Sequence, residues 1–559
     1  LALKVEAAAG FPQDIEWALA EGDVYLLQAR PITAIPERWT RDESAERFPN
    51  PVTPLTWDFV EAGFHDALRN SFALMGLPPM SGRWFGRFEG YIYGNQNAVD
   101  LYMGRPPVSP RGFDELRALR PHIMKRFGWA LELPQRWSVD LDRYLLAIGR
   151  QNARDVSAMS LPELWAHVLE TNRIGSDYFR NNIAISIMHS TLHKALTLGA
   201  TLAAGPQAAP AIVAALLSQV DTKTGLVNAE IRALADLAAA TPKLDALLRG
   251  RPARELIETG ALGAFPDFAR RFALFLDDHG HRELDFDPYK ANWRDAPWSA
   301  LDAIVGALRA GPGAAEKETR GRRVAHEARQ QVLAATPEDL RFFVDEVIRL
   351  ARAYTSLDDV EHYQTSRLTV PMRAALGEIG RRLVAAGLCE DRWDVYFAHA
   401  ETLGRYCDSA APEARDALAR EIAREKAAYR GAEATDPPHD LSPRAQEAVT
   451  ADENTLVGAP GSPGLARGPV KIVRSPDDFA SFPPGAVLVA RTTNPAWTPL
   501  FHAACAVVVE SGGPLSHGAV TAREVGIPAV MAARSAMARL KDGERVEVDG
   551  TRGFARRLD

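Results

Sequence analysis

The residue type and setting best suited to chemistry occur at His517, within the run VVVESGGPLSHGAVTAREVGIPAV over residues 507–530. An apolar strand leads into a glycine turn, and a helix opens at Ser516-His517. The N–H groups of a helix start have no partners within the helix, and the positive end of its dipole lies there. A phosphate carried on the ring therefore meets a favourable field. A neutral imidazole attacks phosphorus, and its phosphorylated form can pass the group on. Gly512 and Gly513 are expected to let the backbone approach closely. A histidine in this place can equally cap a helix or fill a polar hole.

A second concentration of polar groups, His279, His281 and Arg282 near Asp285, lies in HGHRELDFDPYKANWRDAP. It is suited to holding or deprotonating a hydroxyl, and equally to a hydrogen-bond network at a helix end. His362, in LDDVEH, has the type for proton transfer but sits in a long helical pattern where packing residues are common.

The elements that must position these groups fall into three stretches. Residues 1–35 contain DIEWAL and VYLLQARPI around Glu21-Gly22-Asp23, the pattern of a β-hairpin. Residues 36–448 show helical periodicity, as in PEDLRFFVDEVIRLARAY, and predict a large, mainly α-helical domain. Within it, Gly199, Gly205, Pro206 and Pro210 predict a helix-loop-helix rather than one continuous helix over residues 198–217. Tyr429 to Arg444 reads as a linker with limited freedom to pack. Residues 455–559 carry the short β-like runs GPVKIV, AVLVA, CAVVVE and RVEVDG, with one helical stretch after His517. The fold class expected is multidomain α+β, with a helical middle domain followed by a compact β/α domain.

With 46% hydrophobic and 25% charged residues, the chain reads as globular rather than disordered or fibrous. A net charge of -7 with mixed signs excludes the broad basic face that binds nucleic acid. Cys389, Cys407 and Cys505 lack CxxC spacing, which supports neither a disulfide framework nor a zinc knuckle. No apolar run approaches a membrane span, and the first residues lack the order of a secretory signal. A cytoplasmic protein without membrane or nucleic-acid partners is expected.

From Gly458 to Gly553 the chain resembles the swivelling phosphohistidine domain of phosphoenolpyruvate-utilising enzymes. GAPGSPGLARGPVKIV, VLVARTTNPAWTPLFHAACAVVVESGG, LSHGAVTAREVGIPAV and DGERVEVDGTRG carry the resemblance. It implies that His517 is phosphorylated and that Gly512, Gly513 and Ser516 shape its pocket. Thr498 and the segment Thr492-Thr493-Asn494-Pro495 would add polar contacts. Arg523 would belong to the pocket, although it and Glu524 can equally pair with neighbours along the helix.

Residues 12–33, PQDIEWALAEGDVYLLQARPIT, resemble the end of the ATP-grasp domain that precedes such enzymes. In a strand pair Glu16 and Gln28 would give two oxygen ligands to one Mg2+, and Arg30 would offer its guanidinium to a nucleotide phosphate. The middle region resembles the central part of rifampicin phosphotransferases and phosphoenolpyruvate synthase-like proteins. The pieces are NPVTPLTWDFV, FEGYIYGNQNAV, HGHRELDFDPYKANWRDAP and EIGRRLVAAGLCEDRWDVYF. In that setting His279, His281, Arg282 and His362 are the candidates for acceptor binding. Asp358-Asp359 stands where rifampicin-modifying relatives carry an Arg-Glu pair followed by a basic residue, which argues against rifampicin as the acceptor.

The resemblance implies a phosphotransferase that moves a phosphoryl group from ATP, through phosphohistidine, to a small-molecule acceptor. The chain is expected to hold only the end of an ATP-grasp domain and no pyruvate-binding barrel, and so to need a further segment to use ATP. Two alternatives stand beside this reading. One is a phosphoenolpyruvate synthase-like enzyme with its pyruvate domain on another chain. The other is a non-catalytic phosphocarrier or docking protein.

Overall fold

The computed structural model describes the chain apart from residues 34, 43, 46, 104–109, 283–284, 311–313, 443–453, 475, 494–496, 515 and 559, and the side chains of 7, 310, 314–321, 476–477, 480 and 499. Strands β1 (Gln13–Ala20) and β2 (Asp23–Pro31) form the expected antiparallel hairpin. Its two-residue turn places Glu21 and Gly22 at φ 55° and 89°, the left-handed pair that matches strand twist.

The helical region is built on one 44-residue helix, Leu161–Ala204. Ser160 and Glu163 close a capping box at its start, and Pro162 sits in its first turn. Leu164, Val168, Thr171, Ile174, Tyr178, Ile185, Leu192 and Leu196 follow helical spacing and are buried. Against that face pack Val344, Ile348, Ala351 and Tyr354 of helix Glu338–Thr365. The long helix ends at Gly205, where φ is 84°, and the chain resumes as helix Ala209–Leu216. The break expected near Gly205-Pro206 is present, whereas Gly199 stays inside the helix.

A small sheet, with β3 (Trp39–Thr40), β4 (Phe85–Phe88) and β5 (Tyr91–Asn95) in the order β3-β5-β4, supports one side of the helical region. The linker expected over Tyr429 to Arg444 is corrected by this sheet. Helix Pro412–Glu433 runs through the buried Tyr429, and the chain beyond it is pinned rather than loose. Tyr93 donates to the carbonyl of Pro438, Arg41 N–H to that of His439, and Arg38 pairs with Asp440. Pro443 and Arg444, at the linker's end, lie outside the described residues.

Two of the quoted motifs meet at buried carboxylates. Asp287 accepts from Thr53 N–H at 2.7 Å, Thr53 Oγ1 at 3.1 Å, Thr56 Oγ1 at 2.6 Å and Tyr289 N–H at 3.0 Å. Asn50 donates to Asp285 at 2.6 Å. These bonds lock the start of helix Pro54–Leu74 to the loop after His281.

The last domain is an eight-stranded sheet formed by β6 (Thr455–Val457), β7 (Ala459–Ser462), β8 (Leu465–Ile472), β9 (Val487–Ala490), β10 (Ala506–Val509), β11 (Ala529–Met531), β12 (Arg545–Asp549) and β13 (Phe554–Arg557). Its order is β6-β13-β12-β8-β9-β10-β11-β7. Strands β8, β9, β10 and β11 pair in parallel, and the flanking strands pair antiparallel. All four residues of β9 and of β10 are buried, as continuous apolar strands in a parallel core must be.

Replacing Asp287 by Ala removes an acceptor from four hydrogen bonds in a buried site. A loss on the order of 3 kcal/mol is expected, checked by urea unfolding of the full chain.

Candidate functional site

His517 is the first residue of helix His517–Val525, which follows β10 and precedes β11 in a parallel crossover. The ring therefore lies outside the carboxyl ends of parallel strands, where such sheets form their ligand crevice. Ser516 caps the helix, its hydroxyl accepting from Ala519 N–H at 3.4 Å. Gly512 has φ 84°, and a Cβ there would come within 2.9 Å of the Ser516 Cβ, so glycine is needed to bring the cap into place. Gly513 is different: its φ is ordinary and a Cβ there would meet no protein atom within 4 Å. Gly518, not singled out in the sequence, is the second confined glycine, because a Cβ there would collide with Thr493 Oγ1.

One helical turn on, Thr521 Oγ1 lies 3.0 Å from His517 Nε2 and fixes the ring. The i, i+4 spacing of these two residues was readable in the sequence. Thr498 is buried at the start of the short helix Thr498–Ala503, and Thr492 and Thr493 are buried close by in sequence. Asn494 and Pro495 lie outside the described residues. Arg523 donates to the Gly461 carbonyl at 2.5 Å, tying its helix to β7. Burial pulls its guanidinium down to about 10.

The ring is enclosed by the helical region. Helix Thr498–Ala503 packs on helix Pro297–Ala310, and one apolar cluster runs from Leu301 and Ile304 through Phe501 to Val525 and Met531. Thr222 donates to Glu524 at 3.0 Å across the same seam. Burial pushes the His517 imidazole down to about 3, with the charges of Arg282 and His362 acting in the same direction. His517 is thus neutral at physiological pH, the form that acts as a nucleophile.

Of the predicted middle-domain residues, Arg282 and His362 act on His517, while the rings of His279 and His281 are engaged elsewhere. His279 Nδ1 lies 2.6 Å from the Tyr363 hydroxyl and its Nε2 3.0 Å from Glu230. His281 Nε2 donates to the Tyr363 carbonyl at 3.2 Å. His362 stacks on Phe286 with ring centroids 4.7 Å apart, and burial pushes it down to about 3.

The two aspartates that depart from the relatives' pattern turn to different helices. Asp358 accepts from Ser186 at 2.6 Å and lies 3.4 Å from His189. Burial alone would raise it, but these partners hold it below the usual carboxylate range. Asp359 accepts from the Thr224 hydroxyl at 2.6 Å and N–H at 2.9 Å, and burial raises it. Burial and then the charge of Asp359 raise Glu524 to about 7.

On Phe286, whose ring meets that of His362, opens a cavity of about 120 Å³ lined also by Phe48, Phe59, Phe64, Phe179 and Met372. A cavity of about 160 Å³ farther along the helices, lined by Leu116, Met188, Leu192, Phe343 and Ile348, shares no residue with the His362–Phe286 contact. Reasoning from sequence missed Phe286 and Arg47, whose guanidinium lies 5.7 Å from the Phe286 ring. The available signal was their position, Phe286 inside one quoted motif and Arg47 just before Asn50, where another begins.

At the other end of the chain, Glu16 and Gln28 face each other in the hairpin register, as do Asp14 and Arg30, which form an ion pair at 2.9 Å. The Glu16 and Gln28 oxygens have the hard-donor chemistry of two magnesium ligands. Among the described residues no group of three or more His, Cys, Asp or Glu forms a metal cluster.

Residues 482–553 match the mobile domain of PEP-utilising enzymes, and residues 178–359 match the fourth domain of rifampicin phosphotransferase. The chain is similar to phosphoenolpyruvate-utilising enzymes. It is 26% identical to the uncharacterized phosphotransferase YvkC of Bacillus subtilis, over 98% of this chain and 68% of that protein. It is 26% identical to a rifampicin phosphotransferase of a Streptomyces species, over 99% of this chain and 67% of that one. A phosphoenolpyruvate synthase of Aeropyrum pernix is 43% identical over 20% of this chain and 14% of the synthase. The chain thus spans about two thirds of the length of its full-length matches. Among the described residues no helix is long and apolar enough to cross a membrane.

Two measurements test the electrostatics. The His517 ring signals in NMR are expected to stay those of a neutral imidazole from pH 8 down to pH 5, without the transition near 6.5 of an ordinary histidine. Glu524 has a raised pKa, so the folded state holds a proton that the unfolded chain releases between about 4.5 and 7, and stability falls as the pH rises through that window. Glu524→Gln should therefore raise stability at pH 8, on the order of 2 kcal/mol, and change it little at pH 4.5.

Proposed function

We propose that this chain is a phosphotransferase in which His517 carries a phosphoryl group from ATP to a hydroxyl of a small molecule held in the helical region. The observation that carries the reading is the placement of His517. It sits at a helix start, held neutral, in a cleft under the influence of Arg282 and His362 from the other domain. The neighbouring aromatic cavity suits an acceptor with an apolar or aromatic body that presents its hydroxyl past Phe286 toward His362.

In the first step a His517 ring nitrogen bonds to the β-phosphorus as the P–O bond to the departing AMP breaks, and water then removes the γ-phosphate as inorganic phosphate, leaving one phosphoryl group on the ring. In the second, the acceptor oxygen bonds to phosphorus as the N–P bond breaks and its electron pair returns to the ring. The hydroxyl proton leaves to solvent, and the ring returns to its neutral form with the proton it kept on the other nitrogen. Thr521 keeps the ring oriented through both steps, and the helix start favours the anionic group.

ATP would be used where the hairpin joins an ATP-grasp domain, either elsewhere in a longer protein or on a separate chain. Glu16 and Gln28 would hold Mg2+ and Arg30 would meet a phosphate oxygen; the ion supplies charge neutralisation on the nucleotide. The exposure of Trp17, Leu19, Tyr25 and Leu27 supports a covering partner for this hairpin, because a lone two-stranded ribbon is marginal in water. The protein is proposed to work in the cytoplasm.

Incubation with Mg2+ and ATP labelled at the β-phosphate, with the ATP-grasp domain of a relative added, should give an acid-labile label that His517→Ala abolishes. Acid-stable labelling, or equal labelling of His517→Ala, sinks the proposal.

A further inference from the structure

A phosphoryl dianion brought into this cleft arrives among acids. Asp358, Asp359, Glu361 and Glu524 all lie on the elements around it, and burial raises Glu361 to about 7 against the pull of Arg47. Transfer from His517 therefore needs cations aimed into the same space. Arg282 is one. The second comes from a distant part of the chain.

Arg47 lies on the segment between β3 and helix Pro54–Leu74. Its guanidinium is 5.7 Å from the Phe286 ring, whose other neighbour is the His362 ring at 4.7 Å. Its charge acts on Asp358, Glu361 and His362, and among the described residues none forms an ion pair with it. The backbone that carries it is fixed on both sides. The buried Arg41 donates to the carbonyls of Ile92 at 2.9 Å, Phe48 at 2.9 Å and Pro49 at 3.0 Å. Ser44 donates to the Ile92 carbonyl, Phe48 N–H to Ser44, and Asn50 to Asp285. Phe48 itself packs on Phe286 with centroids 5.7 Å apart. Asp42 of the same segment pairs with Arg534 of the sheet domain at 2.9 Å, so the segment touches both domains. This is the preorganisation that a charge-stabilising group requires.

We propose that Arg47 is a phosphoryl-binding residue of the transfer step, gripping with Arg282 the oxygens of the group that leaves His517. The assignment rests on the reading of His517 as the phosphoryl carrier. It gives the Asn50–Thr56 motif a purpose, since the hydrogen bonds of that motif to Asp285 and Asp287 hold Phe286 and Arg47 in place. If Arg47 only balanced local charge, its loss would alter stability and leave oxyanion binding unchanged.

The test uses inorganic phosphate and the full chain. Phosphate binding, followed by 31P NMR, is compared in the wild type, Arg47→Gln and Arg47→Lys, with thermal unfolding as the folding control. Arg47→Gln should weaken phosphate binding about tenfold, as loss of a charged hydrogen bond does, and Arg47→Lys should recover part of it. Equal affinity in wild type and Arg47→Gln, or no binding by the wild type, overturns the assignment. Phosphoramidate, which phosphorylates histidine without any nucleotide site, is applied in parallel and read as acid-labile phosphate lost in His517→Ala. Loading of His517 that falls in Arg47→Gln together with its phosphate affinity supports a role in transfer. Phosphate binding that depends on Arg47 without any loading of His517 overturns the carrier reading and leaves Arg47 as an oxyanion site.

Discussion

The apolar seam between helix Thr498–Ala503 and helix Pro297–Ala310 is the contact on which the cleft depends. Phe501 is fully buried in it, and the same cluster reaches Val525 on the His517 helix. Burial of such side chains is favourable but has no preferred direction. Direction comes from the polar bonds at its edges, Thr222 to Glu524 and Arg534 to Asp42. Together they hold a helix start from one domain against cations from the other.

That arrangement explains why the cleft is chemically unusual. Partial burial of His517 and His362 lowers both imidazoles and keeps the rings neutral, and burial likewise pushes Glu361 and Glu524 toward their protonated forms. A neutral nucleophile under the charge of Arg282, with acids on the neighbouring elements pushed toward their protonated forms, is a setting in which arriving negative charge is tolerated. Asp358 is the exception, kept ionised by Ser186 and His189, and Arg47 offsets its charge.

Where an element is governed by local rules, it was legible from residues alone. The Glu21-Gly22 turn set the hairpin, although Glu16 comes opposite Gln28 only through a one-residue register shift between Glu16 and Trp17. The Gly205-Pro206 pair ended the long helix, and the apolar run before Ser511 formed a buried parallel strand. The failures came where a distant partner decided the outcome. Asp436 to Asp440 looks like a linker by composition, but Tyr93, Arg38 and Arg41 bind it to a sheet more than three hundred residues earlier. Gly513 and Gly518 are equally plain glycines in the sequence, yet only the second has a neighbour, Thr493, in the way of a side chain.

The sequence by itself determined the presence of a nucleophilic ring at a helix start, because a strand, a glycine turn and a capping serine are read over a few consecutive residues. It also determined which segments bear acids and cations. Only the tertiary structure decided which of them meet. Three hydrogen bonds from Thr53 and Thr56 to Asp287 and one from Asn50 to Asp285 bring Arg47 beside a ring more than two hundred positions away, and the domain seam sets Arg282 and His362, rather than His279 or His281, to act on His517. Side chains on these helices point according to what they pack against, and that is settled by contacts between segments that no local pattern records.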